Sequence, residues 1–250
     1  VKAFTFYNSF NSWGWLDTLD SKIAKEIEIV SGDIRDFDSV KNATKNCDLI
    51  FHLAALVAIP YSYYAPEAYV DSNIKGTLNI LRSIKENKNL RLIHTSTSEI
   101  YGTPKSLPIT EEHPTSAQSP YAASKVGADH LALSFQKSFN LPITIVRPFN
   151  AFGPRQSLRA VIPTIITQIF NNKKIIKLGN TFSTRNFNYI SDTIDGFIRF
   201  IGKNNLDGEI INLGSNYDIS IVDTVKIISQ LMDRKIKIIR EDKRKRPKNS

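Results

Sequence analysis

Short apolar segments alternate with longer amphipathic segments along the first 150 residues. Five of the short segments end at polar or turn residues, which predicts the strands AFTFY, EIEIV, LIFHLAA, LRLIHTS and PITIVRP. Between them, apolar residues recur at helical spacing and predict helices over residues 36–45, 66–87 and 120–139. Because these strands are too apolar to leave one face in water, the alternation predicts an α/β protein with a doubly wound parallel sheet.

The pattern changes after residue 148 to a mixed, helix-rich one. Helices are predicted over residues 161–170, 191–201 and 220–232, with short strands such as KIIKL and EIINL between them. We therefore predict two domains. Residues 1–150 would form the parallel-sheet domain, and residues 151–250 would form mainly a smaller mixed α/β lobe, from which some segments return to the sheet.

Composition limits the class of protein and its location. The chain has 250 residues, of which 41% are hydrophobic and 23% are charged, as in an ordinary globular protein with a sizeable core. Its single cysteine, Cys47, excludes an internal disulfide and fits a reducing compartment. No apolar run approaches the roughly 18 residues of a membrane span. We predict a cytoplasmic protein with no membrane partner.

The formal net charge of +9 is concentrated at one end of the chain. Residues 231–250 hold nine Lys or Arg against three Asp or Glu, which gives +6, whereas the other 230 residues are nearly balanced. Terminal basic runs are usually solvated segments, so we predict no nucleic-acid partner. A nucleotide diphosphate is the anion that we expect.

Candidate chemistry follows the strand LRLIHTS, in the stretch TSTSEIYG (residues 95–102). In an open parallel sheet, ligands bind outside the carboxyl ends of the strands, where these hydroxyl groups and the Glu99 carboxylate would lie. Farther along, Tyr121 and Lys125 lie four positions apart in a predicted helix and share one face of it. An ammonium near a phenol stabilises the phenolate, which can act as a general base on an alcohol.

Together these motifs resemble the extended short-chain dehydrogenase/reductases of the NAD-dependent epimerase/dehydratase family, which modify nucleotide sugars. The resemblance covers essentially the whole chain and rests on the segments FHLAA, SNIKGT, STSEIYG, YAASK, RPFNAFGPRQ, TRNFNYISD and INLGS. It implies a Rossmann-like doubly wound sheet, with residues 1–150 as the dinucleotide-binding domain and residues 151–250 mainly as the substrate-binding lobe.

The family's glycine-rich phosphate loop is absent from this sequence, which contains no GxxGxxG. The resemblance therefore implies a chain truncated at both ends, which begins at the family's second strand and stops before its C-terminal portion. A relative that has lost its cofactor is the alternative.

The resemblance also implies the roles of individual residues. Tyr121 would be the base, Lys125 its partner, and Thr97 would hydrogen-bond the sugar 4-hydroxyl. Glu99 would remove the proton on carbon 5, and Ser98 replaces the acid that other members use on the leaving hydroxyl.

The cofactor would be tightly held, recycled NAD or NADP, contacted by Asp33, Ile34, Leu53, Ala54, Ala55, Asn73, Tyr121 and Lys125. No metal is implied. The substrate contacts would be Asn150, Arg155, Arg185 and Arg246, whose guanidinium groups suit a diphosphate.

Several alternatives stay open. Asp33 could instead cap a helix, although Asp36 is better placed to do so. The segment Tyr7-Asn8-Ser9 carries no acid, so NAD and NADP are not distinguished.

The reaction implied is 4,6-dehydration of a nucleotide-diphosphate sugar. UDP-glucuronate decarboxylation and 4-epimerisation are alternatives, as is a non-catalytic nucleotide-binding relative. The stretches YNSFNSWGWLD and PRQSLRAVIPTIITQ resemble dehydratases of legionaminic-acid synthesis, which implies GDP-N-acetylglucosamine as the substrate. Two-helix contacts between subunits are common in the family, so the resemblance also implies a homodimer.

Overall fold

A computed structural model describes residues 1–171, 174–203 and 205–240. The predicted α/β class is confirmed, with parallel pairing in most of the strand pairs whose register is defined. The strands are β1 (Lys2–Phe6), β2 (Glu28–Gly32), β3 (Leu49–His52), β4 (Arg91–Thr95), β5 (Ile143–Pro148), β6 (Asn150–Phe152), β7 (Ile175–Leu178), β8 (Thr184–Tyr189), β9 (Ile210–Leu213), β10 (Asp218–Ser220) and β11 (Lys237–Arg240).

Helices connect most of these strands. They are α1 (Ser21–Ala24), α2 (Phe37–Ala43), α3 (Ile59–Ser62), α4 (Pro66–Tyr69), α5 (Gly76–Glu86), α6 (Pro120–Phe139), α7 (Val161–Phe170), α8 (Ile190–Ile198) and α9 (Ile221–Leu231). A π-helical segment, Val70–Lys75, joins α4 to α5, and two 3₁₀ helices cover Gly14–Thr18 and Ser98–Tyr101. None of the helices in the described ranges is long and apolar enough to cross a membrane.

The chain divides into two compact units. Unit 1 comprises Val1–Thr97, Ser119–Val146 and Ile201–Ile211, and unit 2 comprises Ser98–Gln118, Arg147–Phe200 and the chain from Asn212. Unlike the division at residue 150 expected from the sequence, this one assigns the segment directly after Thr97 to unit 2.

Unit 1 is built around parallel pairing of β3, β4 and β5, while β1 and β2 form a separate parallel pair. Strand β4 lies between β3 and β5, which explains why Leu92 and Ile93 are completely buried. Helices α2, α5 and α6 pack their apolar faces on this sheet. The resulting core contains Val40, Ile80, Leu81, Ile84, Leu90, Leu92, Ala132, Leu141, Ile143 and Ile145.

Unit 2 contains two small sheets, of order β10-β8-β6 and β11-β7. Its core lies between α7, α9 and β7 and contains Ile165, Ile169, Ile176, Leu178, Ile221 and Val225. Strand β8 is polar in sequence because its side chains bind a loop: the Asn186 Nδ2 atom donates to the Ser215 carbonyl over 2.6 Å, and Asn186 Oδ1 accepts from the Ser215 amide over 2.9 Å.

Several predicted boundaries were wrong, and four strands of unit 2 (β6, β8, β10 and β11) were not predicted. The strand LIFHLAA ends at His52, where its pairing with β4 ends, so residues 53–55 lie outside the sheet. The strand predicted at EIEIV (residues 26–30) begins two residues later than predicted, because pairing with β1 starts at Glu28. The helix predicted over 66–87 is divided by the π-helical segment, and the one predicted over 191–201 spans Ile190–Ile198.

Candidate active site

Helix α6 carries the predicted Tyr–Lys pair in unit 1. The Ser119 side chain caps this helix by accepting from the Ala122 amide over 3.1 Å, and Pro120 occupies its first turn, where a missing amide proton costs nothing. Tyr121 and Lys125, one turn apart, are 5% and 3% exposed. A lysine this buried is uncommon and costs free energy unless its charge is matched by polar groups.

The Lys125 ammonium points to the carboxyl end of β4. Its Nζ atom donates a hydrogen bond of 2.7 Å to the Thr95 carbonyl, two residues before Thr97. Burial lowers the pKa of Lys125 to about 8, and the negative charge of Asp129 opposes that shift. The structure thus places Lys125 at the strand end where the sequence predicted catalytic hydroxyl groups.

Asn73, a predicted cofactor contact, lies in the π-helical segment and is 1% exposed. Its side chain bridges two elements: Nδ2 donates to the Leu56 carbonyl over 3.0 Å and to the Ser124 hydroxyl over 2.9 Å, and Oδ1 accepts from the Leu56 amide over 2.8 Å. π-Helical segments are often found at functional sites. Here the segment ties the loop after β3 to the helix that carries Tyr121.

A second chain of hydrogen bonds leads from Asn73 into the sheet. The Thr77 hydroxyl donates to the Asn73 carbonyl over 2.6 Å and lies 3.0 Å from His52 Nε2. Because the single hydroxyl proton is already donated, His52 must donate from Nε2. Burial holds the pKa of His52 well below its usual value, so the ring is neutral. These contacts are those of a histidine packed at the end of a strand.

Thr97 ends the unit 1 segment and is 9% exposed. Ser98 and Glu99 begin the 3₁₀ helix of unit 2 and are both half-buried. Tyr101, in the same 3₁₀ helix, is completely buried: its hydroxyl donates to Asn212 Oδ1 over 2.7 Å and accepts from Arg147 NH1 over 2.9 Å. The turn that carries Glu99 is therefore anchored at its far end.

The rest of the 98–118 segment is held by the same group of side chains. The guanidinium of Arg147 lies 5.2 Å from the Tyr101 ring centroid, and the Asn212 amide donates to Glu111 Oε1 over 2.8 Å. Arg147 is 4% exposed. These contacts give Arg147 a structural role in holding this segment.

Three of the predicted substrate contacts, Asn150, Arg155 and Arg185, lie in unit 2. Asn150, in β6, donates weakly to the Asn186 carbonyl over 3.4 Å. Arg185 lies in β8, where its NH1 atom donates to the Thr184 carbonyl over 2.7 Å. Arg155 is exposed in a turn with a φ of 67°. Arg246 lies outside the described residues.

The predicted adenine contacts, Asp33 and Ile34, follow β2. Asp36 caps α2 by accepting from the Ser39 amide over 2.9 Å, which confirms the better placement of Asp36 as a cap. Asp33 instead accepts from the Arg35 guanidinium at 2.6–3.0 Å, and this hydrogen bonding lowers the pKa of Asp33. The Ile34 side chain lies over Gly76, where an added Cβ would come within 2.9 Å of it.

The three residues after β3 differ sharply from the strand itself. Leu53 is 65% exposed, Ala54 is also exposed and Ala55 is half-buried, whereas His52 is 4% exposed. These residues leave an apolar surface at the carboxyl end of a parallel strand, which is where such sheets bind ligands.

A group of buried polar residues next to Lys125, on α6 and at the end of β4, was not predicted from the sequence. Asp129 follows Lys125 by one helical turn, and its Oδ2 atom accepts from the Ser96 hydroxyl over 2.8 Å. Its Oδ1 atom lies 3.3 Å from His94 Nε2. The signal for Asp129 was its spacing, which puts it on the same face of α6 as Tyr121 and Lys125.

The parallel α/β fold, with a buried Tyr–Lys pair on α6 and Lys125 bonded to the end of β4, agrees with the expected resemblance to short-chain dehydrogenase/reductases. A family model described as "GDP-mannose 4,6 dehydratase" matches residues 1–250. The chain belongs to this family of NAD-dependent epimerases and dehydratases and is similar to nucleotide-sugar 4,6-dehydratases.

Individual relatives include both kinds of enzyme. The chain is 33% identical to a dTDP-D-glucose 4,6-dehydratase of Dictyostelium discoideum over 221 residues, which cover 82% of this chain and 51% of that protein. It is 36% identical to a UDP-glucuronate 4-epimerase of Thermodesulfobacterium geofontis over 209 residues, which cover 82% of this chain and 64% of that protein. The chain therefore spans between about half and two-thirds of these relatives' lengths.

A solved structure extends the similarity to the fold. The UDP-glucuronic acid 4-epimerase of Bacillus cereus, in complex with UDP-glucuronic acid and NAD, matches with a TM-score of 0.85 and 28% identity. The match covers 96% of this chain and 77% of that one.

Proposed function

We propose that this chain forms part of a nucleotide-sugar 4,6-dehydratase, a lyase that uses NAD or NADP. The observation that carries the proposal is the buried Tyr121–Lys125 pair on α6, with Lys125 bonded to the Thr95 carbonyl at the end of β4, two residues before the Thr97-Ser98-Glu99 motif. The hydroxyl, phenol and ammonium suit oxidation of an alcohol. A carboxylate two residues after the hydroxyl adds a base that simple oxidation does not need.

The described residues fit the nicotinamide end of a dinucleotide. Tyr121 and Lys125 supply polar groups, Leu53 and Ala54 supply exposed apolar surface after β3, and Asn73 fixes the loop that follows them. These residues would hold a dinucleotide that supplies hydride chemistry, the acceptance of a hydride from carbon 4 and its return to carbon 6. We propose that this dinucleotide would stay tightly bound and be recycled in each turnover.

Tyr121 begins the reaction as the general base and takes the proton of the sugar 4-hydroxyl. Thr97 hydrogen-bonds the same oxygen and holds it for proton removal. The Lys125 ammonium stabilises the tyrosinate, which is necessary because an ordinary tyrosine has a pKa near 10. The carbon 4 hydroxyl becomes a ketone in this step.

Glu99 then completes the elimination. The ketone acidifies the hydrogen on carbon 5, and the Glu99 carboxylate removes it. The carbon 6 hydroxyl leaves with a proton as water. Since Ser98 cannot supply a carboxylic acid proton, Glu99 returns the proton that it has just accepted. Solvent then supplies a proton to carbon 5, and Tyr121 releases to solvent the proton that it took from the 4-hydroxyl. The product is a 4-keto-6-deoxy sugar, so the net change is the loss of one water.

The similarity to a UDP-glucuronate 4-epimerase supports 4-epimerisation as a second candidate function. An epimerase needs the oxidation at carbon 4 but no base for carbon 5. UDP-glucuronate decarboxylation and a non-catalytic nucleotide-binding role remain further alternatives from the sequence. Glu99 favours dehydration over 4-epimerisation, whereas the Ser-Thr-Ser-Glu motif alone does not separate dehydration from decarboxylation.

The substrate and assembly rest on the family resemblance. We propose GDP-N-acetylglucosamine as the substrate, with Asn150, Arg155, Arg185 and Arg246 as its contacts, and a cytoplasmic homodimer as the working form. Asp33 and Ile34 are proposed to contact the adenine. The Asp33 carboxylate would then have to share its hydrogen bonds with Arg35.

The test is Glu99→Gln in the full-length protein. Because an amide cannot accept the carbon 5 proton, the variant should still oxidise the sugar and accumulate reduced cofactor, seen as near-ultraviolet absorbance, but should release little dehydrated product. It should also fail to exchange the carbon 5 hydrogen with deuterated water. The exposed acid Glu112 offers a matched control, Glu112→Gln, which should behave as wild type. Normal dehydration and exchange by Glu99→Gln would rule out this mechanism.

A further inference from the structure

Asp129 extends the Tyr121–Lys125 pair into a row of three polar side chains on α6. The residues follow one another at four-residue intervals, so they lie along one face of the helix. Asp129 is 2% exposed, and it is the only fully buried carboxylate in the part of the chain that the structure describes. Buried carboxylates are uncommon unless a partner stabilises their charge.

The Asp129 side chain lies against His94 of β4 and Ser96, the residue that follows β4. The Ser96 hydroxyl donates to Oδ2 over 2.8 Å, and His94 Nε2 lies 3.3 Å from Oδ1. Ser96 is the residue directly before Thr97, and Lys125 bonds the carbonyl of Thr95 directly before Ser96. Lys125 thus binds Thr95, the last residue of β4, and Asp129 binds Ser96, the next residue along the chain.

The charged and titratable groups around Lys125 leave Asp129 as its counterion. On α6 these groups are Tyr121 and Asp129, on β4 the group is His94, and on β3 it is His52. Burial lowers the pKa of both histidines, and the nearby Lys125 charge lowers it further. Asp129 opposes the shift at His94 without overcoming it, so both rings are neutral near pH 7. A neutral His94 gives Asp129 a dipole rather than a compensating charge.

We propose that Asp129 is a positioning residue that keeps the Lys125 side chain charged and, through Ser96, holds the end of β4 in place. This inference rests on the proposed function, because the charge on Lys125 matters for a tyrosinate base. Without the Asp129 charge, desolvation would release the Lys125 proton at a lower pH, and Tyr121 would lose the cation that stabilises its anion.

Asp129→Asn tests the charge, since the amide oxygen can still accept from Ser96. Ser96→Ala is the matched control, because it removes the hydrogen bond and keeps the carboxylate. In the full-length protein, NMR of lysine labelled with ¹³C at Cε follows the titration of Lys125, which is assigned by its loss in Lys125→Met. We expect the pKa of Lys125 to fall by about one pH unit in Asp129→Asn, a tenfold weaker hold on its proton, and to stay unchanged in Ser96→Ala.

Turnover should respond in the same way. The alkaline limb of the kcat profile should move to lower pH in Asp129→Asn by the same amount, whereas a merely structural defect would lower kcat equally at every pH. An unmoved Lys125 titration in folded Asp129→Asn, or an equal shift in Ser96→Ala, would overturn the inference. A shifted titration without turnover by wild type would instead refute the proposed function.

A measurement on the wild-type protein covers the case in which Asp129→Asn does not fold. The carboxyl ¹³C resonance of Asp129 should show a step at the pH where Lys125 titrates, because each charge senses the other. No step at that pH would overturn the inference without any variant at that position.

Discussion

The Lys125 ammonium donates a 2.7 Å hydrogen bond to the carbonyl oxygen of Thr95 and thereby joins α6 to the carboxyl end of β4. This single contact relates the two sequence motifs that carry the proposed chemistry, YAASK and TSTSEIYG. It also explains how a lysine that is 3% exposed remains compatible with the fold, since one of its donors is satisfied by a main-chain acceptor.

Lys125→Met should lower kcat by about 10²–10⁴-fold, because the tyrosinate loses its stabilising cation. Methionine keeps most of the apolar stem, so the far-ultraviolet circular dichroism should stay that of wild type. Lys137 lies on the same helix but is exposed, which makes Lys137→Met the matched control with unchanged kcat. A fall of less than tenfold for Lys125→Met would count against the role of the ammonium.

The stability of the protein should rise with pH because of Lys125. Its pKa is about 8 in the folded state and near 10.5 when unfolded, so between these values the unfolded state binds the proton that the folded state has released. Stability then increases with pH across this window, by about 3 kcal/mol in total, and the cost of the buried charge is fully present below pH 8. Urea unfolding at several pH values checks this, and Lys125→Met should lack the rise.

Asn73→Ala should destabilise unit 1 by about 2–4 kcal/mol. The change removes three hydrogen bonds and leaves both main-chain polar groups of Leu56 without the Asn73 side chain as their partner. Asn89, an exposed turn residue, supplies the control: Asn89→Ala should change the free energy of unfolding by less than about 0.5 kcal/mol. Equal effects of the two substitutions would show that the bridge contributes nothing.

Tyr101→Phe should reduce the stability of unit 2 by about 1–3 kcal/mol, since the hydroxyl lost is a donor to Asn212 and an acceptor from Arg147. The exposed Tyr217 gives the control Tyr217→Phe, for which no change is expected. Thermal unfolding followed by near-ultraviolet circular dichroism compares the two. If Tyr101→Phe unfolds at the wild-type temperature, the hydroxyl does not anchor the 3₁₀ helix.

The sequence predicted the elements that local patterns determine. Helix α6 begins where Ser119 and Pro120 predict it, because a capping hydroxyl and a proline act within one turn. Strand β8 was not predicted because it contains asparagines, which are uncommon in strands. Only the folded chain shows that Asn186 binds the 215–218 turn. The π-helical segment was likewise invisible, since it reflects the side-chain contacts of Asn73 with distant residues.

The candidate site was predictable to a similar extent. Spacing alone indicated that Tyr121 and Lys125 share a helix face, and the structure adds that both are buried. The contact between Asp129 and Ser96 spans 33 residues and has no signature in either motif. Long-range pairs of this kind depend on which strand end faces which helix, and this follows only from the packed fold.

The central claim is that the site removes water from a nucleotide sugar, and the mass of the product tests it most directly. Full-length protein supplied with NAD and with GDP- or UDP-sugars, GDP-N-acetylglucosamine among them, should give a product lighter than its substrate by one water. A product lighter by one carbon dioxide, a product of unchanged mass, or no product with any of these sugars would contradict the account.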